Sequence, residues 1–443
     1  MFFKIEKFLF LALIFSIPFQ KRFFLFGPNP ELVEGFEWSS GFIYFTDFLV
    51  VLLAAFWLKD FLGGKNFNPR IYLRLGPSFL LAVFLGLAFL SLSQADLPNV
   101  AVYRFVKLGE FIFVFFYVAT RIKFIGINTT LFVLVGSGVF QSILAILQFA
   151  KQSSLGLEVF HESTLAIGMR GVAGVSQGGI EMIRAYGTFP SPNVLAGFLG
   201  LCLLFLFYLY LRRSSKNATT ETPNLLYGIL LFLLTFGLAL TFSRGVIIFF
   251  LFTSILLFAG IFLLDRLRQY RKQAINLVIL VVVSWLLIIA LARPEVSARF
   301  LGSSIGEPAI QERLFFNEVG FYTVRQNYTQ LFFGVGIGNF VQNYMQSLPG
   351  LAPHLYQPVH NIFILIASEI GVFGLIAFVL FLTSLLCRAV KTLYVFSLLL
   401  VVCFMLFVGM YDHYLLTLQQ GSLIFWISLG LLASGTNNYN KKL

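Results

Sequence analysis

Twelve apolar runs, most of them close to helix-spanning length, follow one another along this 443-residue chain and leave few folds open to it. A helix needs about 20 mostly apolar residues to cross a bilayer. Such runs lie at 7–26, 41–58, 76–93, 104–120, 127–150, 192–211, 224–242, 245–264, 274–292, 359–386, 392–411 and 419–434. Inside lipid every backbone N–H and C=O must find a partner within the chain, and runs of this length do so as helices. Composition agrees. Charged residues make up 11% of the chain and apolar ones 58%, whereas a soluble domain carries about a quarter charged residues. The sequence predicts an all-α integral membrane protein with about 12 transmembrane helices.

The net charge of +12 does not point to nucleic acid. The Lys and Arg residues fall in short clusters between apolar runs, which is a topology signal and not a binding stripe. With the N-terminus inside, the cytoplasmic segments hold 19 of the 31 Lys and Arg residues, so both termini of this inner-membrane-type protein are expected in the cytoplasm. Lys4 and Lys7 precede the first run as in a signal peptide, but no small-residue cleavage site follows, and a retained first helix is expected.

The inner connections are short and carry no P-loop or dinucleotide fingerprint. Cys202, Cys387 and Cys403 lie in or beside apolar runs with no CxxC pair, the pattern of small buried residues. No cofactor is expected. His354 and His360 look isolated from partner carboxylates, His161 and His413 look like single loop residues, and no Asp-x-Asp pair is present, so no metal is expected either.

Two outer segments are long. Residues 151–191 are Gly-rich and carry His161, Arg170 and Arg184; residues 293–358 are longer still, and their stretch 308–332 has a helical spacing of apolar positions. Loops of this length are functional or disordered as a rule, and order is expected for the second. The chain thus divides into residues 1–184 (helices 1–5 and the first long loop), 185–292 (helices 6–9), 293–358 (the long outer loop) and 359–443 (helices 10–12 and a tail).

Four features on the outer side could carry chemistry, and each has a structural alternative. Pro358 disfavours helix at Val359, so the tenth helix should begin close to His360, placing an imidazole at the membrane surface with Asn361 beside it. A neutral His there can take a proton, or it can simply anchor the helix end. Arg244 lies in a turn so tight that it must be partly buried, which is costly unless the guanidinium is paired or faces water. It could bind phosphate oxygens in a bidentate manner or form a structural ion pair. Arg313 lies in the long loop, with Arg299 and Arg325 as competitors that spacing alone does not separate. Glu369 sits about 13 Å along the helix from His360. A carboxylate at that depth suggests a functional site, but Gly371 and Gly374 let another helix approach, and Glu369 could tie helices together.

These motifs, taken in order, resemble a known family. Tyr186-Gly187-Thr188-Phe189-Pro190-Ser191-Pro192-Asn193, Thr241-Phe242-Ser243-Arg244-Gly245, Gly334-Val335-Gly336-Ile337-Gly338-Asn339-Phe340, and His360-Asn361 followed by Glu369-Ile370-Gly371 and Gly374-Leu375 are its segments. Asp412-His413-Tyr414 with Gln419-Gln420-Gly421 is similar to its last outer turn. This is the O-antigen ligase and O-antigen polymerase-like superfamily of membrane glycosyltransferases, and the similarity runs over about 185–430. The resemblance implies a GT-C-like helical arrangement and metal-independent transfer of a glycan from undecaprenyl pyrophosphate to a lipid A core, a growing glycan, a protein or another surface acceptor. By the same resemblance His360, Arg244 and Arg313 are its catalytic residues, and Asn361, Asn193, Glu369, Asp412 and Arg170 contact substrate. A lipid-linked glycan transporter is the rival from another class; it would show charges deep in several helices and helices broken at the midplane.

Overall fold

The structure is a computed structural model that describes residues 2–28, 36–63, 76–177, 180–214, 224–291, 308–387 and 390–435. Among these residues its regular structure is helical except for two short antiparallel hairpins and an isolated bridge. Six helices are long and apolar enough to cross a membrane: Pro77–Gln94, Ile127–Lys151, Pro192–Arg213, Arg244–Leu263, Asp265–Ala290 and Ile362–Leu386. Leu225–Leu240 and Leu393–Gly409 are shorter apolar helices. Arg299 and the first part of the long loop lie outside the described residues.

Several expected boundaries are corrected. The first run is not a helix over 7–26: the helix is Phe2–Ser16. Pro18 and the pair Lys21–Arg22 stop it, and Arg22–Phe26 becomes a strand paired with Gly41–Tyr44. The second run accordingly gives up 41–44 to that strand and is helical over Phe45–Leu62. The fourth begins earlier than hydropathy indicates, at Pro98, and runs to Ile125. Proline suits a first helical position because its missing N–H would have no partner there. The tenth starts at Ile362, where the Asn361 Oδ1 accepts the Phe363 and Ile364 N–H groups at 3.0 and 3.3 Å. His360 is therefore left just outside the helix. In the long loop the helix Pro308–Arg325 agrees with the apolar spacing, and Tyr328–Phe333 and Phe340–Ser347 follow it.

The chain folds as two compact units interleaved in sequence. The first comprises Met1–Lys21, Ile122–Ser304 and Val390–Val408. Its helix Pro192–Arg213 is buried along its length and is flanked by Ile127–Lys151 and the helix that begins at Asn224. Small residues set the spacing, as they do where helices meet in lipid. A Cβ on Gly237 would sit 2.6 Å from the Ser142 Oγ, and one on Gly138 2.7 Å from the Cys202 Sγ.

The second unit comprises Arg22–Arg121, Ile305–Ala389 and Gly409–Leu443. Ile362–Leu386 packs on Pro77–Ser91, with Phe378 against Phe84. At Gly371 (φ +82°) that helix is broken. The carbonyls of Ser368 and Glu369 instead accept the N–H groups of Val335 and Gly336, at 2.8 and 3.1 Å. The glycine loop thus docks backbone to backbone on the break. Gly374, by contrast, faces Ile370 of its own helix, so the close approach expected at both glycines is made at Gly371 alone.

Candidate functional site

Within the second unit, three elements converge on His360. The helix Pro308–Arg325 contributes Arg313 and Phe316, one turn apart and so on one face. Phe316 stacks on the His360 ring at 5.0 Å with 16° between planes. Arg313 lies over the Tyr411 ring at 4.1 Å, and its Nε donates to the Tyr411 carbonyl at 3.3 Å. The turn after Gly409 supplies Asp412 and His413, both buried. The imidazoles of His360 and His413 meet edge to face at 4.8 Å, and Trp38 caps His413 at 5.5 Å.

This overturns the expectation that His360 is isolated from partner carboxylates and that His413 is a single loop residue. His360, Asp412 and His413 each offer a ligand atom within 4.8 Å of the others. In the sequence Asp412 is a candidate only through the resemblance, and His413, though in the same motif segment, carries no role. The sole local signal was the adjacency Asp412-His413 in a short turn between two apolar runs.

The electrostatics follow from burial and neighbours. Burial lowers the His360 pKa below the ordinary imidazole value, Asp412 opposes that shift and the Arg313 charge adds to it. Burial, with His360 beside it, takes His413 down to about 3. Both rings are neutral at pH 7. The His360 Nδ1 has no hydrogen-bond partner among the described residues. His413 is fixed more tightly: its Nδ1 is 2.6 Å from the Thr417 Oγ1, whose own hydroxyl donates to the His413 carbonyl at 3.2 Å.

Next to the cluster, and sharing Trp38 and Thr417 with it, the same unit holds a cavity of about 90 Å³ lined by Arg104, Lys107, Glu369 and Gln419 among others. Arg104 donates to the Thr417 carbonyl at 3.0 Å. Lys107 pairs with Asp47 at 2.7 Å and with Glu110 at 2.8 Å. Glu369 accepts the backbone N–H groups of Gly338 and Phe340, which ties the glycine loop to the broken helix. Its observed bonds are of the helix-tying kind.

In the first unit, Arg244 is the first residue of the helix Arg244–Leu263, after a turn in which Phe242 has φ +48°. Asn193 braces that turn: its Oδ1 accepts the Ser243 hydroxyl at 2.7 Å and the Arg184 guanidinium at 3.1 Å. Arg184 also donates to the Thr241 carbonyl at 2.6 Å. The motif segment Tyr186–Asn193 is held by two glutamines. Gln148 accepts the N–H groups of Tyr186 and Gly187, and Gln141 that of Thr188. Arg170 lies on an exposed turn between Gly168 and Gly171, both at positive φ. Arg325 is exposed at the end of its helix, over Phe321, twelve residues from Arg313.

The fold and these polar sites define a multi-pass helical membrane protein with polar machinery built at helix ends. Residues 229–379 match the O-Antigen ligase family, which makes the chain O-antigen ligase-related over that segment. The match is narrower than the 185–430 of the motif similarity. It takes in Arg244, Arg313, His360 and Glu369 and leaves out Asn193, Arg170 and Asp412. Comparison with curated proteins finds no match.

Proposed function

We propose that the protein transfers a glycan from undecaprenyl pyrophosphate to an acceptor hydroxyl on the outer face of a bacterial cytoplasmic membrane, with both termini inside. The observation that carries this reading is the His360 site: a neutral imidazole with a buried carboxylate and a guanidinium beside it, in a chain related to the O-antigen ligases. His360 takes the acceptor proton as its oxygen attacks the anomeric carbon. The bond from that carbon to the pyrophosphate oxygen breaks, the electron pair leaves on phosphate, and the proton passes from imidazolium to water. One direct displacement inverts the anomeric centre.

Arginine, in place of a metal, offsets the charge on the leaving group. Arg313 serves this purpose beside His360, where desolvation strengthens the effect. Arg244 is assigned phosphate binding in its own right, because a helix N-terminus already favours an anion and the guanidinium stands at its first position. Asn193 positions that turn, and Asn361 positions His360 by capping the following helix. Arg170, being exposed, is assigned to the glycan. The same site would serve a ligase to lipid A core, a polysaccharide polymerase or a protein O-oligosaccharyltransferase.

The break at Gly371 and the buried Lys107 group are features a lipid-linked glycan transporter would also have. The carbonyls that face the glycine loop at the break are taken up by the N–H groups of Val335 and Gly336, however, which supports a docking joint over a cation site.

The test is transfer by purified protein from an undecaprenyl-pyrophosphate-linked glycan to candidate acceptors. His360→Ala and Arg244→Ala should each lose on the order of 10²-fold or more in rate, and chelator should leave the wild type unchanged. Full transfer by both variants would sink the mechanism, and strict dependence on added divalent metal would sink the part given to arginine.

A further inference from the structure

We propose that His360, Asp412 and His413 form a binding site for a borderline divalent transition-metal ion, with Zn²⁺ as the representative, and that such an ion inhibits the enzyme by occupying its base. Only the inhibition rests on the function proposed above; the binding rests on geometry.

Two imidazoles and a carboxylate are a donor set for zinc-like ions, and three protein ligands leave a position for water. The ligand atoms lie within 4.8 Å of one another. Tetrahedral ligands at about 2.0–2.1 Å from zinc stand about 3.3 Å apart, so the three side chains must draw in by about 1.5 Å at most. Asp412 can do so, because among the described residues its carboxylate is held only by a long contact, 3.4 Å, from the Tyr414 N–H.

The tautomer of His413 is set for a metal. The hydroxyl proton of Thr417 goes to the His413 carbonyl, so at 2.6 Å it is the His413 Nδ1 that donates to the Thr417 Oγ1. The Nε2 is left with its lone pair. Ligating histidines are held in this way by a hydrogen bond from the other ring nitrogen. The second independent sign is His360, whose buried Nδ1 has no hydrogen-bond partner among the described residues. Of the neighbouring charges, Asp412 offsets that of an incoming cation, while those of Arg313, held on the ring and carbonyl of Tyr411, and Arg104 oppose it. Bound metal would take the lone pair with which His360 accepts the acceptor proton.

The test uses the full chain, purified without a histidine tag, stripped with chelator and titrated calorimetrically with ZnCl₂ in the absence of substrate. The chain has only four histidines, so background is low. One equivalent should bind, at least about tenfold more weakly in His413→Gln, Asp412→Asn and Thr417→Val, and unchanged in His354→Ala, whose residue is exposed. Cu²⁺ loaded in place of Zn²⁺ should show imidazole nitrogen couplings in its EPR spectrum, a readout that needs no variant to fold. Absence of stoichiometric binding, equal binding by the Asp412 and His413 variants, or a Cu²⁺ spectrum without imidazole nitrogen would each overturn the site. In transfer assays Zn²⁺ should stop the reaction and chelator restore it. Binding without inhibition would overturn the inhibitory role and leave the site standing. Because the titration contains no substrate, its failure is separate from a failure of the transferase reading.

Discussion

The Nδ1 of His413 is tied to the Thr417 hydroxyl one helical turn further on, at 2.6 Å; this contact holds the imidazole edge-on to His360, and burial keeps it neutral. Charging either ring in the folded state is disfavoured, and the cost appears as a dependence of stability on pH.

Burial takes the His413 pKa from 6.5 in the unfolded chain to about 3 in the folded one. Between those values the unfolded state binds the extra proton, so stability is full above pH 6.5 and falls as pH drops toward 3. His413→Gln should remove this component: its Tm should fall less than that of wild type between pH 6.5 and 4.5, as followed by thermal unfolding in detergent.

His360 also titrates below its ordinary value. As a base it is more than half deprotonated at pH 6.5, so the acid limb of kcat/KM should have its midpoint below that pH and level off toward pH 7. A profile that still rises between pH 7 and 8 would rule out His360 as the base.

Arg313 and Arg325 lie on one helix but differ in surroundings. Arg313→Lys keeps the charge and loses the planar fork that reaches both the Tyr411 ring and its carbonyl. Transfer should fall by about 10- to 100-fold in Arg313→Lys and stay within about twofold in Arg325→Ala. The comparison is of initial rates at saturating donor.

Lys107 is held between Asp47 and Glu110, with 8% of its side chain exposed. Lys107→Met leaves two buried carboxylates facing each other, at a cost of about 3–5 kcal/mol. The triple variant Lys107→Met, Asp47→Asn, Glu110→Gln should recover most of that loss in thermal unfolding, since it removes the unpaired charges together.

Gly371 is the joint on which the glycine loop docks. A Cβ there would meet the Phe332 carbonyl oxygen at 2.1 Å, at a φ of +82° that side chains avoid. Gly371→Ala should destabilise by on the order of 3 kcal/mol or more. Gly86→Ala, which meets nothing within 4 Å, is the control.

Much of the helical frame was legible in the sequence, because length and hydropathy of a run are local properties and lipid leaves the backbone little alternative to helix. The break caused by Pro358 was equally local and put the start of the helix close to His360, while the cap by Asn361 that fixes it at Ile362 came from the structure. The apolar spacing of 308–325 indicated a helix for the same reason. What depended on distant partners was hidden. The strand Arg22–Phe26 was absorbed into an apolar run because only its pairing with Gly41–Tyr44 distinguishes it. Arg313 differs from Arg325 only by the presence of Tyr411, nearly a hundred residues away. The convergence of His360 with Asp412 and His413 closes a loop of some fifty residues. Residue spacing carries no record of such a closure; packing of the helices around it decides which side chains meet.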